Sequence, residues 1–209
     1  MPKGSEELTN ARKEEIINAC ARLYETFSFK EITMKEIGQA TSFTRTSIYN
    51  YFQTKEEIFL ALLQREYNLW SADLGKMMSE HNTMTVDQFS GGLAHTLEKR
   101  AHMLKLMSMN HYDMESSSRM ENLVEFKKSY GESMRAVTCC VEKFFPKMTV
   151  HEIQNFIYAF FPFLFGIYPY TFVTEKQQEA MKQANADYIF LSLYEITYSC
   201  VRKLLEGYE

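Results

Sequence analysis

Apolar residues recur at helical spacing along most of this chain, and no segment alternates with period two for long enough to make a strand. Ile16, Cys20, Leu23, Tyr24 and Phe27 fall at i, i+4, i+7, i+8 and i+11 with charged residues opposite, which is one face of an amphipathic helix. This stripe predicts a first helix from near Thr9 to around Ser28. A short helix follows from Met34 to Ala40 with Ile37 inward, then the link Thr41-Ser42-Phe43, then a helix from Thr44 to Phe52. Two short helices joined by such a turn form a helix-turn-helix, and the long first helix supplies its apolar support.

Helix starts are marked by a repeated device. Thr followed three residues later by Glu or Gln satisfies two orphan N–H groups reciprocally. The pattern occurs at Thr33–Glu36, Thr54–Glu57, Thr85–Gln88, Thr149–Glu152 and Thr174–Gln177. A long connecting helix is expected from Lys55 to the break at His81–Thr85, with further helices over about 86–100, 102–114, 119–144, 150–168 and 175–206. The fold class is all-α with about nine helices. A three-helix DNA-binding domain over 1–54 precedes a larger helical domain over 55–209.

Composition narrows the classes. Only 8 Gly and 4 Pro in 209 residues suit helices. Cys20, Cys139, Cys140 and Cys200 form no C-x-x-C pair, so reduced thiols in a cytoplasmic protein are expected. The charged N-terminus lacks the apolar run of a signal peptide. Phe156 to Val173 is apolar and uncharged but holds three tyrosines and two prolines, which reads as a buried core helix rather than a membrane span. The net charge is −4, and the first 60 residues carry eight Lys and Arg against nine Asp and Glu. Any DNA contact must come from local placement rather than bulk charge. No nucleophile elbow, phosphate loop or HExxH appears, so no enzyme and no cofactor are expected.

The stretch "TSFTRTSIYNYFQTKEEI" gathers such local placement. Ile48 and Phe52 face the core with Phe43 and Ile37, leaving Thr44, Arg45, Ser47, Tyr49, Asn50 and Tyr51 outward. The second helix of a helix-turn-helix sets its N-terminal residues on base edges. Arginine bonds guanine bidentately, hydroxyls bond several bases and threonine methyls meet thymine methyls. Thr33, Thr44 and Thr54 place three helix N-termini nearby for phosphates, and Lys55 adds a cation.

The run "ITMKEIGQATSFTRTSIYNYFQTKEEIFLALL" resembles the DNA-binding signature of the TetR family of one-component transcription regulators. Thr33, Ile37, Phe43, Thr44, Ile48, Tyr49, Tyr51, Phe52, Lys55, Glu56 and Ile58 fall on the family pattern, most specifically in its "Y-x-Y-F-x-x-K-E" portion. Three positions depart from it. The usual Ala-Gly of the turn is Thr41-Ser42, which predicts strain if a non-glycine residue is forced to positive φ. The small residue inside the recognition helix is Thr46, and the alanine after Ile37 is Gly38. The resemblance implies a homodimer whose last two long helices form the interface, a double-stranded operator, and a C-terminal domain that binds a small-molecule inducer.

Eleven of the thirty aromatics lie between Phe144 and Phe172, on all sides of their helix, which predicts burial all round. Pro162 is expected to kink this helix and Pro169 to end it or kink it again. The terminal helix has Ile189, Leu193, Ile196, Cys200 and Leu204 on one stripe, with a second apolar stripe beside it. Phe156, Phe160, Phe163, Ile189, Leu193, Ile196 and Cys200 are therefore dimer-interface candidates. His102, Met103, Met107, Tyr112, Phe161, Phe165 and Tyr168 are candidates to line a pocket for a lipophilic or aromatic ligand; His95 and His111 lie in the same middle region. His95, Glu98 and His102 have metal-like spacing but no further ligand, so no metal is expected. The sequence points to a ligand-released repressor acting on a palindromic operator. A redox-responsive regulator using Cys139 and Cys140 is the alternative, with a helical membrane-associated protein behind it.

Overall fold

The structure is a computed structural model that describes residues 3–109, 111–186 and 188–208. Among the described residues there are eleven helices and no strand: α1 (Lys3–Thr26), α2 (Met34–Gln39), α3 (Arg45–Ile48), α4 (Lys55–Glu80), α5 (Val86–Glu98), α6 (Ala101–Met107), α7 (His111–Ser116), α8 (Met120–Phe144), α9 (Val150–Thr171), α10 (Glu175–Gln183) and α11 (Leu193–Leu204). The chain divides into two compact units. The first is Met1–Arg65 with Asn110–Ser129, and the second is Glu66–Met109 with Tyr130–Glu209. Segment 110–129 thus joins the N-terminal helices in the first unit, although it lies mid-chain in sequence.

The first unit is built on the stripe of α1. Ile16, Cys20 and Tyr24 are buried with Ile37, Ile48, Ile58 and Phe59. Tyr24 and Phe29 each meet the Phe59 ring edge-on, with centroids at 5.1 and 4.8 Å, a geometry favoured by the ring quadrupoles. Phe27 is 47% exposed, so the stripe closes one turn earlier than its spacing suggests. Burial drives the Cys20 thiol up to about 12.

The turn between α2 and α3 is unstrained, contrary to expectation. Asn185 is the one non-glycine with positive φ among the described residues. Side chains hold Thr41 and Ser42 instead. Thr41 Oγ1 lies 2.9 Å from Gly38 O and 3.1 Å from Phe43 O. The Ser42 N–H and Oγ–H donate to the two carboxylate oxygens of Glu15 at 2.5 and 3.1 Å. Those bonds lower the Glu15 pKa. Gly38 matters for another reason. A Cβ there would stand 3.1 Å from Arg45 Cα and Cβ, so glycine lets α3 approach α2 closely.

The second unit buries Trp70, Tyr67, Leu74, Phe89, Leu93 and Phe160 completely. Trp70 Nε1–H donates to the buried Thr96 hydroxyl at 3.0 Å. Arg100 holds Asp73 through Nε and Nη2 at 2.9 and 2.7 Å. α11 packs on α5 and on α9, and α6 packs on α9. Complete capping boxes open α5, α9 and α10 as expected. A further one at Ser192–Glu195 opens α11.

Four expectations need correction. The helix over 102–114 is two helices, α6 and α7. The expected terminal helix is also two, because Asn185 adopts φ 49° after α10 and Ser192 restarts the helix. Asn tolerates the left-handed region that ends helices. Pro169 does not end α9, which carries Pro162 and Pro169 inside and runs on to Thr171. Finally, α9 is not buried all round: Tyr158, Ala159, Pro162, Gly166, Pro169 and Tyr170 form an exposed face.

Candidate nucleic-acid interface

α3 is a single helical turn, Arg45–Ile48, rather than the nine residues expected. Beyond Ile48 the backbone tightens. Asn50 N–H donates to Ser47 O and Tyr51 N–H to Ile48 O, both i to i+3 bonds. So short a helix cannot stand alone, and the fully buried Ile48 with the nearly buried Phe52 anchors it.

Around that anchor, Thr44, Arg45, Thr46, Tyr49 and Asn50 are exposed, and Ser47 is half-buried. Thr44 is extended at the N-cap but makes no capping bond; its hydroxyl sits 3.1 Å from Ser47 Oγ. Arg45 Nη2 donates to Tyr49 Oη at 3.0 Å, with the guanidinium over the ring at 5.8 Å. These contacts hold an exposed cation, one aromatic ring and several hydroxyls on one surface. Phe43 and Tyr51 are half-buried and pack together at 6.4 Å, with Arg12 over the Phe43 ring at 5.7 Å.

Two expected phosphate contacts are committed elsewhere. Lys55 Nζ donates to Phe29 O and Ile32 O at 2.7 and 3.0 Å and lies 4.1 Å from the Phe29 ring centre. Its cation ties down the loop after α1 instead of facing outward, because those carbonyls lie beyond the end of α1 with no helical partner. The Thr33 hydroxyl accepts the Lys35 N–H and bonds Glu36.

Glu57 departs from the usual capping box. Thr54 Oγ1 accepts the Glu57 N–H at 3.2 Å, but the Glu57 carboxylate turns to the Gln53 N–H at 2.8 Å and to Arg119. Arg119 Nε and Nη2 donate to its two oxygens at 2.7 and 2.9 Å, and the Arg119 N–H donates at 3.0 Å. Arg119 Nη2 also reaches Tyr51 O at 3.2 Å. Burial raises the Glu57 pKa, but the Arg119 and backbone hydrogen bonds outweigh it and leave the carboxyl below its usual range. Sequence reading missed Arg119 entirely, since nothing in a local pattern reports a partner 62 residues away.

The other candidate residues divide. Met103 and Met107 are buried, and Phe161 packs against Trp70 and Tyr130 at 6.1 and 5.7 Å. Phe165 also faces Tyr130, at 6.5 Å. Tyr168 stacks on Phe172 at 4.5 Å, and His102 is half-buried. Tyr112 is 85% exposed and lies in the first unit. The side chain of His111 lies outside the described residues. Three surface grooves of the second unit, about 550, 340 and 290 Å³, are lined by other residues. His95 pairs with Glu98 at 2.7 Å and packs on Tyr194.

Among the dimer candidates, Phe156, Phe160 and Leu193 are buried within the chain itself and are unavailable to a partner. α11 turns Leu193, Thr197 and Val201 inward, which leaves Ile196 and Cys200 half-buried. Phe163 is half-buried, and Ile189 is 81% exposed ahead of α11. Cys139 is exposed while Cys140 is buried, its thiol pushed up to about 12 by burial. Among the described residues no single helix is long and apolar enough to cross a membrane.

A short reading helix braced by two others, followed by an all-helical domain, defines the class of helix-turn-helix transcription regulators. The profile described as "Bacterial regulatory proteins, tetR family" matches residues 16–62, and that described as "Tetracyclin repressor-like, C-terminal domain" matches 64–209. The chain belongs to the TetR family of transcription regulators. It is 29% identical over 66 residues to the HTH-type transcriptional repressor Rv1474c of Mycobacterium tuberculosis, covering 32% of this chain and 35% of that one. It is 26% identical over 65 residues to the regulator RutR of Escherichia coli K12, covering 31% of each. These matches span about a third of the curated relatives' length. The fold is similar to that of the fatty acid degradation regulator FadR of Bacillus halodurans, with TM-score 0.59, 16% identity and coverage of 94% and 95%. It is also similar to a TetR/AcrR regulator of Thermobifida fusca, with TM-score 0.60, 15% identity and coverage of 95% and 99%.

Proposed function

We propose that this chain is a homodimeric cytoplasmic repressor that binds a palindromic operator and leaves it when a small lipophilic or aromatic ligand binds. The observation that carries the DNA reading is the 44–50 segment. Its one fully buried side chain is Ile48, while Thr44, Arg45, Thr46, Tyr49 and Asn50 are exposed. That surface offers a guanidinium for guanine, an amide for adenine and methyls for thymine. Tyr51, half-buried, serves the backbone through its hydroxyl.

Support for dimerisation comes from the exposed face of α9, where Ala159, Pro162, Gly166 and Pro169 recur at helical spacing between Tyr158 and Tyr170. This face is uncharged and small enough for close helix approach, and it replaces Phe156 and Phe160 as the surface offered to a second copy. Support for the ligand class comes from the aromatic cluster of Trp70, Tyr130, Phe161 and Phe165. Release then follows if the ligand binds better to a conformer whose two reading segments are wrongly spaced.

The test is selection of duplexes from a random library by the full chain. The expected result is one enriched palindrome. Arg45→Ala is expected to relax preference at one base pair in each half-site, a loss of about 1–3 kcal/mol. Enrichment of no duplex would overturn the reading.

A further inference from the structure

The junction between α7 and α8 is tied to the reading segment by side chains that the DNA reading itself does not use. Residues 110–129 belong to the compact unit of the DNA-reading helices. Their tie to it is specific. The Glu57 carboxylate is 1% exposed and accepts four N–H groups, three from Arg119 and one from Gln53. Thr54 Oγ1 donates to Ser117 O at 3.1 Å. Arg119 Nη2 also donates to Tyr51 O. Tyr51 and Gln53 flank Phe52, the second anchor of the reading segment, and mark where the chain leaves α3 for α4. A bidentate guanidinium fixes direction as well as charge.

We propose that Arg119 is a positioning residue for DNA reading: from the start of α8 it sets the exit of α3 through Glu57 and the Tyr51 carbonyl. The inference rests on the reading of 44–50 as the DNA-contacting surface. α3 has one turn and cannot fix its own orientation, so a planar clamp on its exit does so. Arg119 immediately precedes α8, so the clamp is set at the start of a regular helix rather than in a loose loop. Loss of this partner leaves a buried charge unpaired, a cost that falls on the exit of α3.

The experiment compares the full chain with Arg119→Gln and Arg119→Lys. It measures the ratio of affinities for the selected duplex and a scrambled duplex, and the amide exchange of residues 49–57 against that of α9. Arg119→Gln is expected to lower the ratio at least about tenfold and to speed exchange at Gln53 at least about tenfold, with α9 unchanged. Arg119→Lys keeps the cation but not the fork, and is expected to lose at least about threefold in the ratio. A merely structural role would reduce the binding of both duplexes equally and leave the ratio alone. A wild-type ratio in folded Arg119→Gln overturns the proposal. If that variant does not fold, a wild-type ratio in Arg119→Lys overturns it. If the unaltered chain shows no discrimination, the repressor reading fails separately. Unchanged exchange at Gln53 in Arg119→Gln or Arg119→Lys then overturns the clamp.

Discussion

Truncating Ile48 probes how the reading segment is held. Ile48 is fully buried, and it is the only residue of the four in α3 that is. Ile48→Ala removes three carbons from a close-packed site, a change that costs about 2–5 kcal/mol depending on how far the site collapses. α3 has too few residues to recover that by helix propensity. The loss is therefore expected to appear as local opening of the 45–53 segment, which speeds its amide exchange by about 30-fold to about 5,000-fold. Ile48→Val removes one carbon and costs about 0.5–1.5 kcal/mol, or about 2-fold to about 13-fold. Far-ultraviolet circular dichroism should barely change, because α3 is a small share of the helix present. Hydrogen exchange read by mass spectrometry separates the segments. Wild-type exchange over 45–53 in folded Ile48→Ala would refute the argument that this side chain anchors the reading segment.

Four further outcomes are expected. Lys55→Met should lower thermal stability by about 1–3 kcal/mol by orphaning two carbonyls, and leave the salt dependence of DNA binding unchanged; a shallower salt slope would mean that Lys55 reaches phosphate after all. Thr96→Val should cost about 1–3 kcal/mol by stranding the Trp70 Nε1–H, with much less cost in a Trp70→Phe background, as read in a double-mutant cycle. The Glu152 carboxyl, held at about 2 by the Thr149 backbone and then by Tyr208, lies below its unfolded value, so its contribution is complete above about pH 4.3 and is lost as pH falls toward 2; carboxyl NMR titration with a midpoint near 4.3 would contradict the cap. Cys139 should react with a maleimide in the native protein while Cys20 and Cys140 react only on unfolding, which mass spectrometry of the labelled chain would check.

The sequence carried most of what is local. The α1 stripe, the inward Ile37, Ile48 and Phe52, and the Thr85, Thr149 and Thr174 capping boxes are all written within a few residues of where they act. The Ser192–Glu195 box was legible by the same rule but was hidden inside an apolar stripe that reads as one continuous helix. The apolar stripe runs from Ile189 into Leu193, although α11 begins only at Leu193. What was illegible is non-local. Glu15 holds Ser42 across 27 residues, and Arg119 reaches Glu57 across 62. The facing of α9 was also hidden. An aromatic-rich helix reads as buried on every side, yet its small residues and prolines share one exposed face. Lys55 misled because a cation at a helix start suits a phosphate or a pair of orphan carbonyls equally well.

The most direct test of the central claim is hydroxyl-radical footprinting of the full chain on its selected duplex at two salt concentrations. Two protected patches are expected on one face of the duplex, about one helical turn apart, filled by two chains and weakening as salt rises. A single patch, or protection that ignores sequence at both salt concentrations, would contradict it.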